Sequence, residues 1–415
     1  MADVKPRVLV MTAGHLSTCP RMLKAADALA ERYDVRVVST RHMAWASEAD
    51  EHVRRTRRWR WSIVDYDRAS TRGTYWWSGA RFQSASRLAR AVGPARVPLP
   101  FAVRAYSRVH AELVRAALAE PFDFVYGGTT GALAAVAETA RRARVRFALD
   151  LEDFHSGEHG GRDGWLANVL AERIERSVLP GAAFLTTSSD AIADAYERKY
   201  GRRPAIVHNT FPLPAVVPET APTEPGALRL YWFSQTIGAG RGLEQVVQAA
   251  GVAGLRGDLA LRGRPAPGFL ESLIAFAREV APTLRIAHHP PADPDAMVDL
   301  CRTSDVGLSL EQTDVENRAL CLTNKALTYP LAGLAVALTD TPGQRPFGRA
   351  LGEGAWLSGP GDVPALAAGL RRWAEHPSAL AAAKAAAWRA ARTRWHWEHA
   401  EERGALLDAF AGAVV

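Results

Sequence analysis

Short apolar runs alternate with stretches of helical spacing along this chain, and the alternation starts twice. Arg7–Met11 is an apolar run closed by the turn Thr12-Ala13-Gly14-His15, which predicts a buried strand. After Pro20, Met22, Leu23, Ala26 and Leu29 recur at helical spacing to about Arg32, and Val35–Val38 is the next apolar run. The same signals predict a long helix Ala102–Ala119, a strand Phe124–Tyr126, a turn Gly127–Gly131 and a helix over 132–143. A strand Arg146–Leu149, a helix over 166–178, a strand Phe184–Thr187 and a helix over 189–199 continue the pattern. Residues 40–100 show the least regular period, and Pro94, Pro98 and Pro100 close them.

Pro212, Pro214, Pro218, Pro222 and Pro225 then fall within fourteen residues, which makes a stiff linker and a domain boundary. From Leu228 the alternation restarts with a strand to Phe233, a glycine-rich turn Ser234–Gly242, a helix Leu243–Val252 and a strand Leu259–Leu261. A helix over 268–280, a strand over 284–287 and a helix over 294–303 lead to Asp305. Val306–Leu310 and Ala335–Leu338 are apolar throughout, as strands of a parallel sheet covered on both faces should be. Between them a polar loop enters a helix near Thr323, whose hydroxyl is placed to cap it. Helices Val363–Glu375, 378–393 and a last one to about Phe410 finish the chain. The pattern predicts an α/β protein with two Rossmann-like, doubly wound parallel sheets. The first βαβ unit lacks G-x-G-x-x-G, which argues against a dinucleotide there.

Composition narrows the class. The 415 residues suffice for two or three domains, and 48% hydrophobic with 23% charged residues describes a folded globular chain. No apolar run approaches the ~20 residues that span a bilayer. The chain enters a strand almost at once, so we expect no signal peptide and a cytoplasmic location. Cys19, Cys301 and Cys321 are too few and too scattered for a disulfide framework or a zinc site.

Charge is unevenly held. Residues 52–118 contain fourteen arginines, no lysine and only Asp65, Asp67 and Glu112 as acids, so this segment carries +11 of a chain whose net charge is +7. Five of the twelve tryptophans lie between Trp45 and Trp77. Such a stretch suits an anionic membrane face, an acidic acceptor or nucleic acid, or is simply a solvated arginine-rich surface. Asp65-Tyr66-Asp67 has the form of a metal-binding pair, but two acids among arginines more often serve as ion-pair partners.

Three stretches carry candidate chemistry. Just beyond the strand Arg146–Leu149 stand Asp150, Glu152, Asp153, His155, Ser156 and Glu158, a density of polar groups that is costly in a core and natural at a site. A histidine flanked by carboxylates can hold an acceptor hydroxyl or steady a reacting sugar; the alternative is a capped loop with local ion pairs. Gly238-Ala239-Gly240-Arg241-Gly242 opens a helix, where free backbone N–H groups and a guanidinium together suit a diphosphate. Asp305–Gln344 is a strand, loop and helix with Glu311, Asn324 and Lys325 near the helix start, where an open parallel sheet places its ligand. Gly14 either lets a backbone approach a ligand or makes the turn.

On Gly238–Gly242 leading into Leu243–Ala250, Ser304-Asp305-Val306, Asn324-Lys325 before Ala332-Gly333, and Trp395-His396-Trp397-Glu398, the chain resembles a GT-B glycosyltransferase of the retaining family 4 type. Asp150–Glu158 is similar to the acceptor-side loop of such enzymes. The resemblance implies two Rossmann-like domains facing across a cleft. They would be 1–210 with the C-terminal helix 395–415 (acceptor), and 228–394 (nucleotide-sugar donor), joined by the linker 211–227. It implies transfer of a sugar from a nucleotide-diphosphate sugar to a hydroxyl acceptor, which is a sugar, a lipid-linked or a small molecule, with retained anomeric configuration. Glu152, Asp153, His155, Glu158 and Glu311 are the implied catalytic residues. The implied donor-binding residues are Gly14, His15, Gly238, Arg241, Gly242, Arg264, Glu311, Asn324, Lys325 and Thr328. No cofactor, metal or nucleic acid is expected; peripheral contact with an anionic membrane through 52–118 is. The sequence departs from the family where a pair of glutamates would fall: Leu320 and Thr328 take their places, and Gln235 stands where an arginine is common. Either Glu311 or Glu316 then substitutes, or the donor is held differently. A GT-B-fold nucleotide-sugar epimerase or hydrolase, and a non-catalytic binding module, are the alternatives.

Overall fold

A computed structural model describes residues 5–218 and 224–414, so Pro222 and the part 219–223 of the expected linker lie outside the described residues. The chain forms two compact units, one running to Val207 and joined by the residues from Arg403 on, the other His208–Glu402.

The first unit carries a sheet of β1 (Arg7–Thr12), β2 (Asp34–Arg41), β3 (Arg60–Asp65), β4 (Phe124–Gly128), β5 (Arg146–Leu151), β6 (Leu185–Thr187) and β7 (Ala205–Ile206). They lie in the order β3-β2-β1-β4-β5-β6-β7, every pair parallel. Val8–Met11 and Leu149–Leu151 are buried on both faces, which is why these strands read as unbroken apolar runs. The closing helix Ala405–Ala411 sets Phe410 against Phe124, Tyr126 and Phe184, with ring centroids 5.2–5.5 Å apart.

The second unit carries β8 (Ala227–Ile237), β9 (Arg256–Pro265), β10 (Leu284–His289), β11 (Val306–Ser309), β12 (Ala335–Thr339) and β13 (Ala355–Ser358), in the order β10-β9-β8-β11-β12-β13, again all parallel. Both sheets reverse their winding once, between β1 and β4 and between β8 and β11. Ligands of open parallel sheets bind beyond the strand ends at that reversal.

Several expectations need correction. Residues 40–100 are regular: a helix Ala44–Thr56, the edge strand β3 and a helix Arg72–Val92 fill them. The expected helix Ala102–Ala119 is two, Leu99–Tyr106 and His110–Ala117, because the chain is extended at Ser107 and Arg108 reaches sideways to the helix Arg72–Val92. β8 runs to Ile237 through a register shift after Phe233, so the glycine turn is confined to Gly238–Gly242. Thr323 precedes the helix Asn324–Leu331 without capping it, since its hydroxyl pairs with Ser309 Oγ at 2.9 Å. Asp65 is held by Arg41, Ser70 and Thr71, and Asp67 accepts from the Ala69 N–H at 2.6 Å, so both acids organise the turn after β3. Among the described residues no helix is long and apolar enough to cross a membrane.

Candidate active site

In the first unit the candidate residues gather beyond β1, β4 and β5. At Gly14 a methyl group would stand 2.9 Å from Cys19 Sγ, so the turn after β1 has no room for a side chain. Facing it, Thr129 adopts a φ of 77°, which a β-branched residue rarely does. Its hydroxyl lies 3.2 Å from Thr12 Oγ1 and accepts from the Ala13 N–H, which ties the two turns together. Strain of this sort persists where the surroundings enforce it, and it clusters at ligand edges.

Asp150, at the end of β5, is a buried anchor. Arg21 grips it with two hydrogen bonds of 2.8 and 2.6 Å, and Thr186 and Tyr126 donate to the same carboxylate. The chain beyond it is thereby aimed. Burial, and then the charge of Asp153, push the Glu152 carboxyl up to about 7. His155 is buried, with Nδ1 3.2 Å from Glu158 Oε2, and Thr130 Oγ1 donates to the same oxygen at 3.0 Å. Burial lowers the His155 pKa, but the hydrogen bond and charge of Glu158, helped by Glu175 and Asp153, outweigh it and carry it up to about 9. The imidazole is therefore a cation at neutral pH. Its Nε2–H is buried and meets no acceptor among the described residues. That leaves one charged donor free for an oxygen of a ligand.

His15 does not join this group. Nδ1 pairs with Asp50 at 2.6 Å, and Nε2 accepts the His42 and Met43 N–H groups at 3.0 and 2.9 Å. Both ring nitrogens hold the fold, so the ring is not available for the expected donor-binding role.

In the second unit the residues gather beyond β8 and β11. Gly240 and Gly242 have φ of 68° and 75°, and a methyl group on Gly242 would lie 2.5 Å from both Leu310 Cβ and its carbonyl oxygen. The turn therefore hugs the end of β11. Arg318 fastens it by donating to the Gly240 carbonyl at 2.8 Å. Between the glycines Arg241 is largely buried, makes no hydrogen bond or ion pair among the described residues, and has its pKa lowered by burial and then by Arg318. The helix Leu243–Ala253 starts here with no side-chain cap. A cation and a helix start thus stand next to one another in the chain.

Glu311 and Lys325 form a buried pair at 2.7 Å, and the Lys325 ammonium lies 5.6 Å from the Trp232 ring centre. Burial alone would raise the Glu311 pKa, but Lys325, Arg241 and Arg318 hold it below the ordinary carboxylate value. Asn324 Oδ1 accepts from Asn209 Nδ2 at 2.6 Å. Gly238 is buried at the end of β8, and Arg264 is exposed near the end of β9. Thr328 departs from expectation: it is fully buried, and its hydroxyl donates to the Asn324 carbonyl at 2.8 Å. Glu316 is exposed at the start of the helix Glu316–Leu320, whereas Glu311 is the buried carboxylate beside Arg241.

Sequence reasoning passed over Arg21, Thr130 and Glu175, which anchors Tyr196 and Tyr200 behind His155. The one available signal was Arg21 itself, a charge among the buried positions of an apolar helix face.

Residues 18–210 match the family model of the glycosyl transferase 4-like domain. No curated protein matches the chain by sequence. Among solved structures, HepE of Anabaena, in complex with UDP, superposes with a TM-score of 0.63 at 15% identity over 98% of both chains. Sucrose-phosphate synthase of Thermosynechococcus elongatus gives 0.65 at 12% identity over 97% of both. Staphylococcus aureus TarM, in complex with UDP and alpha-GlcNAc-glycerol, gives 0.62 at 7% identity over 99% of both. At such identities the likeness is one of fold. Residues 18–210 are thus similar to a glycosyl transferase 4-like domain, and the whole chain has the two-sheet, Rossmann-like architecture of the GT-B glycosyltransferases.

Proposed function

We propose that this protein is a retaining glycosyltransferase that moves a sugar from a nucleotide-diphosphate sugar to a hydroxyl acceptor. The observation that carries this reading is Arg241, a largely buried guanidinium with no hydrogen bond or ion pair among the described residues, at the open start of a helix. A partly desolvated guanidinium without hydrogen-bond acceptors is costly, and a diphosphate relieves that cost. Arg241 and the N–H groups of Leu243 and Glu244 then hold the diphosphate, and Lys325 adds charge beside it. Glu311 and Asn324 border the sugar.

In the reaction the bond from the anomeric carbon to the diphosphate breaks, and a bond to the acceptor oxygen forms on the same face. The acceptor's proton passes to an oxygen of the departing phosphate. Arg241 and Lys325 stabilise the charge that develops there, so the reading requires no metal ion. The His155 imidazolium donates its Nε2–H to an oxygen of the sugar or acceptor, held charged by Glu158. Asp153 adds negative charge to the surroundings, which favours an oxocarbenium-like transition state. The contact with an anionic membrane through 52–118 belongs to the same proposal, as the route to a lipid-linked acceptor.

A thermal-shift screen over nucleotide-sugars, repeated with Arg241→Ala, tests the reading. One nucleotide-sugar should raise the Tm of the native chain, and the variant should need about tenfold or more of it for the same rise. No response to any of them, or an unchanged response in the variant, removes the donor site from this turn.

A further inference from the structure

A second unpaired guanidinium lies in the first unit. Arg108 sits in the turn between the helices Leu99–Tyr106 and His110–Ala117. Its Nε donates to Ser78 Oγ at 3.1 Å and its Nη2 to the Tyr75 carbonyl. The guanidinium carbon stands 4.3 Å from the Tyr75 ring centre and 5.4 Å from that of Tyr66. The helix Arg72–Val92 makes space for it with Gly79, where a methyl group would come within 3.1 Å of Nη2. Nothing about this side chain is free to wander, yet Nη1 donates to no protein atom, and no carboxylate pairs with the charge among the described residues.

Next to it is a second unsatisfied group. The His42 ring stacks on Tyr66 at 4.7 Å and 13°, and its Nδ1 is buried without a partner. His42 is the first residue past β2 and Tyr66 the first past β3, so both occupy the edge of the sheet that also presents Gly14 and His155. A rigid, stacked guanidinium with one free nitrogen, beside an orphaned imidazole nitrogen, is built for an oxyanion.

We propose that Arg108, Tyr66 and His42 form a binding site for a phosphate group carried by the acceptor. The assignment to an acceptor rests on the transferase reading; the phosphate site does not. An Arg108 that served only to clip the broken helices to the helix Arg72–Val92 would need neither the free Nη1 nor the imidazole beside it.

The test follows the His42 imidazole by NMR in the histidine-labelled full chain. Inorganic phosphate should shift it saturably, and Arg108→Gln should abolish the shift while the chain stays folded. Arg108→Lys, which keeps the charge without the fork, should bind phosphate about tenfold more weakly. It also carries the comparison if Arg108→Gln fails to fold. A His42 resonance moved alike in the native and Lys chains overturns the proposal. Vesicles of phosphatidylglycerol in place of free phosphate separate the two sources. A shift with free phosphate points to a soluble phosphate, a shift with vesicles alone to a lipid headgroup, and no shift with either overturns the site. If no nucleotide-sugar binds but His42 still responds, the phosphate site stands and only its link to glycosyl transfer falls.

Discussion

His155 and Glu158 form a pair whose charge is set by burial against hydrogen bonding. The folded value of His155 is raised from 6.5 to about 9, which is worth on the order of 3 kcal/mol of stability. Because the value is raised, that stability is fully present below pH 6.5 and lost as pH climbs through about 9. Glu158 is held below 4.5, so its share is present above 4.5 and is lost only as pH falls through the depressed value. Thermal unfolding of the native chain and of His155→Gln between these limits should therefore differ most near pH 6 and converge above 9. A gap that stays constant over that range would show that the pair is not the source. Turnover should follow the same upper limb, since the neutral imidazole loses the charge that Nε2–H brings to a ligand.

At the scale of the element, the turn Gly238–Gly242 works because two left-handed glycines let it lie against the end of β11. Gly242→Ala meets Leu310 at 2.5 Å as well as the cost of φ 75°, whereas Gly254, at the other end of the same helix, has φ 62° and open space around it. Gly254→Ala should cost about 1–2 kcal/mol from backbone strain alone. Gly242→Ala should cost more and should also weaken donor binding, by moving Arg241. Equal losses in Tm for the two variants would mean that the close approach to Leu310 is easily relaxed. This turn was legible in the sequence because glycine spacing at a helix start is a local signal. His155 and Glu158, one helical turn apart, were legible for the same reason. The side-chain partners of His15 and Thr328 could not be read because what occupies them is not a local signal. Asp50, thirty-five residues on, claims the His15 ring, and the backbone of its own helix claims the Thr328 hydroxyl. The regularity of 40–100 was hidden by exposure: β3 is an edge strand with a half-exposed face, and the helix Arg72–Val92 turns Trp76 and Trp77 outward, so neither shows a clean apolar period. The apolar period over Ala102–Ala119 reported which side is buried, but it carried no sign of the break at Ser107 that Arg108 exploits.

For the whole molecule, the basic segment divides by what its arginines touch. Arg57 pairs with Asp27, Arg60 with Asp34 and Glu120, and Arg81 with Glu112, so these charges are largely spent within the first unit. Arg68, Arg72, Arg87, Arg90, Arg96 and Arg104 are exposed. On the outer face of the helix Arg72–Val92 stand Trp76 and Trp77, 61% and 72% exposed, with Arg68 5.8 Å from the Trp76 ring centre. Tryptophan is favoured at the headgroup level of a bilayer, and each arginine near an anionic leaflet adds about 1 kcal/mol at low salt. The membrane contact expected of 52–118 thus narrows to this face. Co-sedimentation with phosphatidylglycerol vesicles should retain the native chain at low salt and release it as salt rises, because the attraction is screened. Phosphatidylcholine vesicles should retain little of it. Replacing both tryptophans with alanine should reduce retention while leaving nucleotide-sugar binding unchanged, since the site proposed for it lies in the second unit. Equal retention on neutral and anionic vesicles, or an unaltered double variant, would leave the exposed tryptophans without this role and return the arginines to an ordinary solvated surface.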